Sequence, residues 1–262
     1  MNSNPIGILD SGIGGLSIFK EISSLLPFES IVYIGDQANV PYGSKSGDEV
    51  YDLAKKLVTF LKSKNVKLIV VACNVISVTS LNRLRDEFND MHFVGTVPVI
   101  KTASEVTKNG RIGILSTITT SKSNYQRDLI DKFAKDKLIV NLGTDKLVPL
   151  IEEGTVNGIE LESVLNLVLS PFISQKVDTL VLACTHFPFL KQAISRIMGE
   201  KVSLLDSSLA VARNTKSVLQ KLSLVSDKSG SISFYTTGNS KKVSKIASNL
   251  LGKEVVFDPI VI

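Results

Sequence analysis

The 262-residue sequence lacks any long hydrophobic run, and the longest, at residues 68–73, is far below the roughly 18 residues that a membrane span needs. The N-terminus has no basic stretch followed by apolar residues, so we predict no secretory signal and a cytoplasmic protein. Cysteine and histidine are scarce, with two of each. Two cysteines cannot form a disulfide framework, and no spacing among these four residues is typical of a zinc site, so we expect no metal. The two thiols are therefore candidates for chemistry.

Charge of one sign is also not in large excess. The composition, 44% hydrophobic and 21% charged, is typical of a globular chain and excludes a disordered or fibrous one. The net charge is +5, and the last segment is the most basic part, with Lys216, Lys221, Lys228, Lys241, Lys242, Lys245 and Lys253. Aromatic residues are sparse among these lysines, so we interpret them as a solvated face and do not expect nucleic acid as a partner.

Short segments rich in Val, Ile and Leu alternate with segments of helical periodicity along the whole chain. The predicted strands are residues 6–9, 31–34, 67–72, 112–115, 138–141, 179–183, 202–205 and 232–237. Continuous apolar strands of this kind are typical of a parallel sheet covered on both faces. Apolar residues spaced three and four apart predict helices between them, among others over 50–61, 75–88 and 159–172. The alternation favours an α/β fold of mostly parallel sheets flanked by helices.

A weak internal repeat divides the chain into two halves. Ile-Gly-Ile-Leu occurs at 6–9 and again at 112–115, and a strand ending in Ala-Cys occurs at 68–73 and again at 179–184. The two pairs have nearly the same separation, which favours duplication over chance. We therefore predict two pseudo-symmetric domains with the active site in the cleft between them. The predicted domains are residues 1–95 with 209–262, and residues 96–208.

Cys73 and Cys184 occupy equivalent positions in the two halves, each after a strand and before a segment of helical periodicity. A helix N-terminus favours thiolate over thiol, so we expect a lowered pKa at both cysteines. Two opposed thiols can remove a proton from one face of a carbon and return one to the other face. This arrangement predicts a racemase or epimerase that acts beside a carboxylate. The alternatives are two buried structural thiols or a disulfide.

Polar residues also follow the first two strands. Asp10 and Ser11 begin a glycine-rich turn, and glycines at such a position let backbone amides approach an anion at a helix N-terminus. Asp36 follows the second strand, and the loop after it contains Pro41, Tyr42 and Gly43. These loops fit a small polar ligand, although ordinary turns would look the same. The glycine spacing matches neither GxGxxG nor a P-loop, so it gives little support to a nucleotide cofactor.

Four motifs, Asp10-Ser-Gly-Ile-Gly-Gly, Pro41-Tyr-Gly, Ala72-Cys-Asn and Ala183-Cys-Thr-His, occur in the order typical of glutamate racemases. The chain resembles that family, within the aspartate/glutamate racemase superfamily, over nearly its whole length. The resemblance implies a cofactor-independent interconversion of L- and D-glutamate that supplies peptidoglycan synthesis. It also implies that Cys73 and Cys184 are the acid/base pair on opposite faces of the α-carbon.

The resemblance further implies roles for residues beside the cysteines. Asp10 would assist proton movement at Cys73, and His186 would assist it at Cys184. The implied substrate-binding residues are Asp10, Ser11, Pro41, Tyr42, Gly43, Asn74, Val75, Thr185 and His186. Asp36 and Glu152 are further polar candidates behind the pocket, although Glu152 has an equally good interpretation as a helix-surface residue.

One departure from the family pattern concerns substrate binding. Threonine usually follows Asn74 in this motif, whereas Val75 stands there in this chain. Valine has the shape of threonine but no hydroxyl donor, while its backbone amide can still serve. We therefore expect weaker substrate binding, or a substrate carboxylate shifted toward Ser11 and Thr185.

Other functions are not excluded by the residues alone. An aspartate racemase, or another two-cysteine amino-acid racemase, is the nearest alternative, because the sequence does not give the depth of the pocket. A non-catalytic protein that binds an amino acid or a nucleic acid is a more distant one. A homodimer is compatible with the resemblance, although no surface patch selects an oligomeric state.

Overall fold

The structure, a computed structural model, describes residues 2–227 and 230–262. Within these ranges the chain forms ten strands: β1 (Ile6–Asp10), β2 (Ile31–Gly35), β3 (Leu68–Val71), β4 (Phe93–Gly95), β5 (Arg111–Ser116), β6 (Leu138–Gly143), β7 (Thr179–Ala183), β8 (Ser203–Asp206), β9 (Ile232–Thr236) and β10 (Phe257–Pro259). The predicted strands are thus confirmed to within about two residues at their ends. The sequence missed β4 and β10, which are too short to show a period.

Helices connect the strands. They are α1 (Leu16–Leu25), α2 (Gly47–Ser63), α3 (Asn74–Thr79), α4 (Leu81–Glu87), α5 (Ile100–Val106), α6 (Ile118–Lys122), α7 (Asn124–Phe133), α8 (Leu147–Glu152), α9 (Ile159–Ser174), α10 (Lys191–Met198), α11 (Ser208–Lys221) and α12 (Ser240–Leu251). Two short 3₁₀ helices are Tyr42–Ser44 and Phe187–Leu190. The single helix predicted over 75–88 is wrong, because the backbone leaves helical geometry at Ser80, where φ is −127°. Cys73 thus precedes a helix of less than two turns.

The strands form two sheets that repeat one topology. Their orders are β10-β9-β2-β1-β3-β4 and β6-β5-β7-β8. The segment β2-β1-β3-β4 of the first sheet corresponds strand for strand to the second sheet, and the observed pairings are parallel. This confirms the α/β class with two mostly parallel sheets flanked by helices. The exact domain boundaries stay a prediction.

Local sequence explains why α2 begins where it does and which face it buries. The Ser46 side chain accepts a hydrogen bond from the backbone of Glu49, whose carboxylate bonds back to Ser46. This capping box satisfies free amides at the start of the helix. The residues on its buried face are Val50, Ala54, Leu57, Val58 and Leu61, at the three- and four-residue spacing expected of an amphipathic helix.

Apolar packing joins the two halves. One contiguous core contains Phe19 and Tyr33 from the first half together with Phe172 and Leu180 from the second. Helix α11, which follows the second sheet, packs against α1 of the first half. The cleft between the halves therefore has a packed base, and the ends of the strands can hold side chains at fixed positions.

A buried ion pair lies at the end of the first sheet away from the cleft. Glu29 precedes β2 and Lys67 precedes β3, and their side chains are 1% exposed with Nζ 2.6 Å from Oε2. The Lys67 ammonium also donates to the carbonyl of Asn2, and the second oxygen of Glu29 accepts from the backbone amide of Ser226. This pair ties the N-terminal segment and the chain before β9 to the amino ends of the strands.

In the part of the chain that it describes, the structure gives no further support for nucleic acid or a membrane as a partner. Lys228 of the basic segment lies outside the described residues, while Lys242 in the same segment pairs with Glu153. Over residues 2–227 and 230–262, no helix is both long enough and apolar enough to cross a membrane.

Candidate active site

A small cavity lies where the central strands of both sheets end. It is lined by Ser11, Pro41, Tyr42, Gly43, Cys73, Asn74, Val75, Thr117, Val148, Cys184, Thr185 and His186. Both cysteines therefore face one space, one from each half. Of the predicted site residues, Asp10, Asp36 and Glu152 do not line the cavity and lie behind it.

Cys73 caps the start of α3, is 3% exposed, and places its Sγ 3.6 Å from Ser11 Oγ. Burial, and then the nearby charge of Asp10, raise the pKa of this thiol to about 12, despite the opposing hydrogen bond from the backbone of Ile76. The expectation that the helix N-terminus lowers this pKa is therefore wrong at Cys73, because desolvation outweighs the dipole of a six-residue helix. Cys73 is thus a thiol near neutral pH, which can donate a proton.

Cys184 has different surroundings. The helix predicted to begin directly after it does not form: a turn and a 3₁₀ helix containing Pro188 intervene, and α10 begins only at Lys191. The polar group next to the Cys184 sulfur is therefore an imidazole and not a helix N-terminus: His186 Nδ1 lies 3.8 Å from Cys184 Sγ. The other ring nitrogen lies 2.6 Å from Glu152 Oε1. Cys184, His186 and Glu152 therefore form a chain of groups that can pass a proton.

The electrostatics of His186 suit that chain. Burial by itself lowers the pKa of the imidazole, but the hydrogen bonds to Cys184 and Glu152 and the charge of Glu152 outweigh burial and raise the pKa well above its ordinary value. A cationic imidazole held between a sulfur and a carboxylate can give up a proton or take one back as the sulfur changes state.

Asp10 connects the two halves behind the cavity. It is fully buried, its Oδ2 accepts from the Gly12 amide at 3.0 Å, and its Oδ1 accepts from the Thr185 hydroxyl at 3.3 Å. Burial raises the pKa of Asp10, although the charge of His186 opposes the shift. Its charge in turn raises the pKa of Cys73, so Asp10 lies close enough to influence that thiol.

Asp36 and Tyr42 form a second buried pair. The Tyr42 hydroxyl donates to Asp36 Oδ2 at 2.6 Å, and the Thr237 hydroxyl donates to Oδ1 at 2.6 Å. Burial and the charge of Asp36 raise the pKa of Tyr42 far above its usual range. The Tyr42 hydroxyl donates its proton to Asp36 and is therefore not free to donate to a ligand. Tyr42 and Gly43 still line the cavity.

The cavity also contains an unsatisfied amide. Asn74 is 3% exposed, and neither its side-chain nitrogen nor its oxygen has a hydrogen-bond partner among the described residues. A buried polar group without a partner costs about 1–3 kcal/mol. A ligand with polar groups at this position would remove that cost.

Thr117 and Val148 line the cavity but were missed by the sequence reasoning. Thr117 follows β5, as Ser11 follows β1, so the internal repeat carried a signal for it. The Thr119 hydroxyl donates to the Gly43 carbonyl at 2.7 Å, and a Cβ on Gly43 would lie 2.9 Å from Thr117 Cβ. The loop of the first half thus closes directly onto the second half.

The donor set is suited to proton transfer and to holding a small polar molecule. Across the described ranges no group of three or more Cys, His, Asp or Glu side chains is placed to hold a metal ion. Two sulfurs from opposite halves, each with its own carboxylate or imidazole neighbour, face one cavity.

Comparisons with known proteins agree with this geometry. A family model for Asp/Glu/Hydantoin racemase matches residues 6–215. The chain is similar to a glutamate racemase from Clostridium novyi, with 37% identity over 251 residues that cover 95% of this chain and 97% of that protein. It is similar to one from Deinococcus radiodurans, with 39% identity over 90% of this chain and 82% of that one. The crystal structure of a glutamate racemase from Francisella tularensis in complex with D-glutamate matches with a TM-score of 0.87 and 31% identity, covering 100% of this chain and 98% of that chain.

Proposed function

This chain belongs to the Asp/Glu/Hydantoin racemase family, and on that premise we propose that it interconverts L- and D-glutamate with Cys73 and Cys184 as the two bases. The observation that carries the proposal is that both thiols line one cavity, from opposite halves of the molecule. Glutamate is proposed as the substrate because the similar proteins are named glutamate racemases, and the unpartnered Asn74 amide supports a polar ligand.

The proton transfers follow from the different surroundings of the two sulfurs. In one direction the Cys184 thiolate takes the α-proton, the Cα–H electron pair stays on the substrate, and the Cys73 thiol delivers its proton to the opposite face. In the other direction the roles exchange. His186 receives or returns a proton at Cys184, and Glu152 balances its charge. Each cycle leaves one thiol and one thiolate, so no co-reactant is consumed.

Substrate binding uses the polar groups at the strand ends. Ser11 and Asn74 line the cavity, and the Ser11 hydroxyl and the Asn74 amide can donate to the substrate carboxylates. The hydroxyls of Thr117 and Thr185 already donate to Thr120 and Asp10, so their oxygens can accept from the ammonium group. Because the Tyr42 phenol is bonded to Asp36, the backbone of its loop is the part that contacts the substrate. Fixed donors in the cavity stabilise the negative charge that develops when the α-proton leaves.

The cellular setting is part of the same proposal. D-glutamate made in the cytoplasm would supply peptidoglycan synthesis, and the enzyme would act without a cofactor. A homodimer stays a prediction, which size-exclusion chromatography with light scattering would test. We do not expect nucleic acid as a partner.

The decisive experiment is incubation of the reduced enzyme with L-glutamate, and separately with D-glutamate, in deuterated water. We expect loss of optical rotation together with deuterium at the α-carbon. Cys73→Ser and Cys184→Ser should each abolish inversion, whereas Val78→Ala, on α3 but outside the cavity, should not. L-aspartate serves as the competing substrate. If aspartate is inverted faster than glutamate, aspartate is the substrate. If the folded protein shows neither loss of optical rotation nor deuterium at the α-carbon, the proposed racemase activity is rejected.

A further inference from the structure

The glycine-rich turn after β1 binds a carboxylate of the protein itself, that of Glu152. The backbone amide of Ile13 donates to Glu152 Oε1 at 2.8 Å, across 139 residues of sequence. The same oxygen lies 2.6 Å from His186 Nε2. The turn belongs to the first half, whereas Glu152 and His186 belong to the second. A backbone donor of one half thus holds the carboxylate that supports the imidazole of the other.

The glycines of the turn are explained by the side chains that lie against them. A Cβ on Gly12 would lie 1.9 Å from Glu152 Oε1, and a Cβ on Gly14 would lie 2.3 Å from His186 Nδ1. Neither glycine has the positive φ that would itself require glycine. Their role is to leave room, so that the carboxylate and the imidazole can approach the backbone.

The turn is held rigidly enough to act as a positioning surface. The Gly12 amide donates to Asp10, and the Gly12 carbonyl accepts from the Tyr33 hydroxyl at 2.8 Å. The Ser17 hydroxyl lies within hydrogen-bond distance of two carbonyls, Gly14 in the first half at 2.8 Å and Thr185 in the second at 2.9 Å. These bonds fix the turn relative to both sheets.

We propose that this turn, through the Ile13 amide and the space above Gly12 and Gly14, positions the Glu152–His186 pair for proton exchange at Cys184. The inference rests on the proposed two-thiol racemisation. The proton relay at Cys184 is then built from both halves and is complete only when they are in contact. Cys73, whose sulfur contacts Ser11, does not depend on the relay.

Gly12→Ala tests the proposal, with Gly47→Ala as the matched control. Gly47 begins α2 on the surface, and a Cβ there would meet nothing within 4 Å. Displacement of a reacting group by about 1 Å costs on the order of 100-fold in rate, so we expect a loss of that size in kcat/KM for Gly12→Ala and no change for Gly47→Ala.

The isotope effect distinguishes positioning from general damage. Slowing only the transfer at Cys184 makes that step limiting in both directions. The effect of α-deuteration should therefore rise for the enantiomer that Cys184 deprotonates and fall for the other enantiomer. Equal changes for both enantiomers would overturn the proposal.

A double variant covers the case in which Gly12→Ala does not fold. In a Glu152→Ala background the clashing carboxylate is gone, so Gly12→Ala should fold and should add no further loss of activity to that of Glu152→Ala alone. A double variant that fails to fold, or that is slower than Glu152→Ala, would show another role for Gly12 and overturn the inference.

A readout independent of activity separates this inference from the proposed function. The chain has two histidines, and the exposed His92 is an internal reference for His186. An NMR titration, with the His92 signal as the reference, should show the His186 pKa falling in Gly12→Ala, because the Glu152 carboxylate moves away from the ring. An unchanged His186 pKa in Gly12→Ala refutes the positioning role of the turn, even if the protein racemises glutamate. A lowered His186 pKa supports the positioning role, whichever substrate the enzyme takes.

Discussion

Val75→Thr tests how the departure from the family motif affects substrate binding. Val75 is 3% exposed and lines the cavity beside Asn74. Val75 is the second residue of α3, which begins at Asn74 after the extended Cys73, so no carbonyl of this helix lies one turn earlier to accept from a threonine hydroxyl. The added hydroxyl is therefore left to donate into the cavity.

The expected gain follows from the charge of its acceptor. A hydrogen bond to a charged group contributes about 1.5–3 kcal/mol, and burial of the hydroxyl favours the lower end of that range. Since about 1.4 kcal/mol is tenfold in a binding constant, we expect KM for glutamate to fall roughly tenfold. Threonine and valine have the same shape, so packing should change little.

Initial racemisation rates followed by circular dichroism over a range of L- and D-glutamate concentrations measure this effect. Val78→Thr makes the same substitution on the same helix but outside the cavity, so its KM should equal that of the unchanged protein. An unchanged KM in Val75→Thr, or an equal fall in Val78→Thr, would refute the assignment of Val75 to the substrate carboxylate.

Two further substitutions test the electrostatics. Burial raises the pKa of Asp10 above its ordinary 3.8, so stability from this group is present below that pH and is lost as the pH rises through the folded-state pKa. Asp10→Asn should therefore remove this loss of stability with rising pH, and it should also slow racemisation. Thermal unfolding at several pH values measures the effect, and a stability difference between the two proteins that is independent of pH would contradict it. Lys67→Met leaves Glu29 buried without its partner, and such a loss typically costs about 3–5 kcal/mol of unfolding free energy. Urea unfolding should show this with KM unchanged, and a cost no greater than the roughly 1 kcal/mol expected for breaking the exposed Lys242–Glu153 pair would argue against it.

The sequence predicted the elements whose apolar residues are continuous and long enough to have a period. Strands β1, β3, β5 and β7 form the centres of the sheets and were all recognised, whereas β4 and β10 have three residues each. The helix expected after Cys184 failed because the segment is apolar in the right places but contains Pro188 close to its start. Periodicity reports which residues are buried, and it does not report where the backbone first becomes helical.

The site divided in a similar way. The two cysteines were found because the repeat placed them in equivalent positions. Their electrostatics were not equivalent, since the neighbours that set them are brought by other segments: Asp10 to Cys73, and Glu152 through His186 to Cys184. The local sequence around Glu152 fits a helix surface as well as a buried carboxylate. Only contact with a turn 139 residues away decides between them.

The return of β9 and β10 to the first sheet has a consequence for the order in which the molecule is made. Strands β5 to β8 form a sheet from one uninterrupted stretch of chain, so they can assemble as soon as residue 206 has left the ribosome. The sheet that begins with the N-terminus needs strands that are translated last, and its long-range pairings must wait for them. We therefore expect the second sheet to be complete before the first, which must wait for β9 and β10.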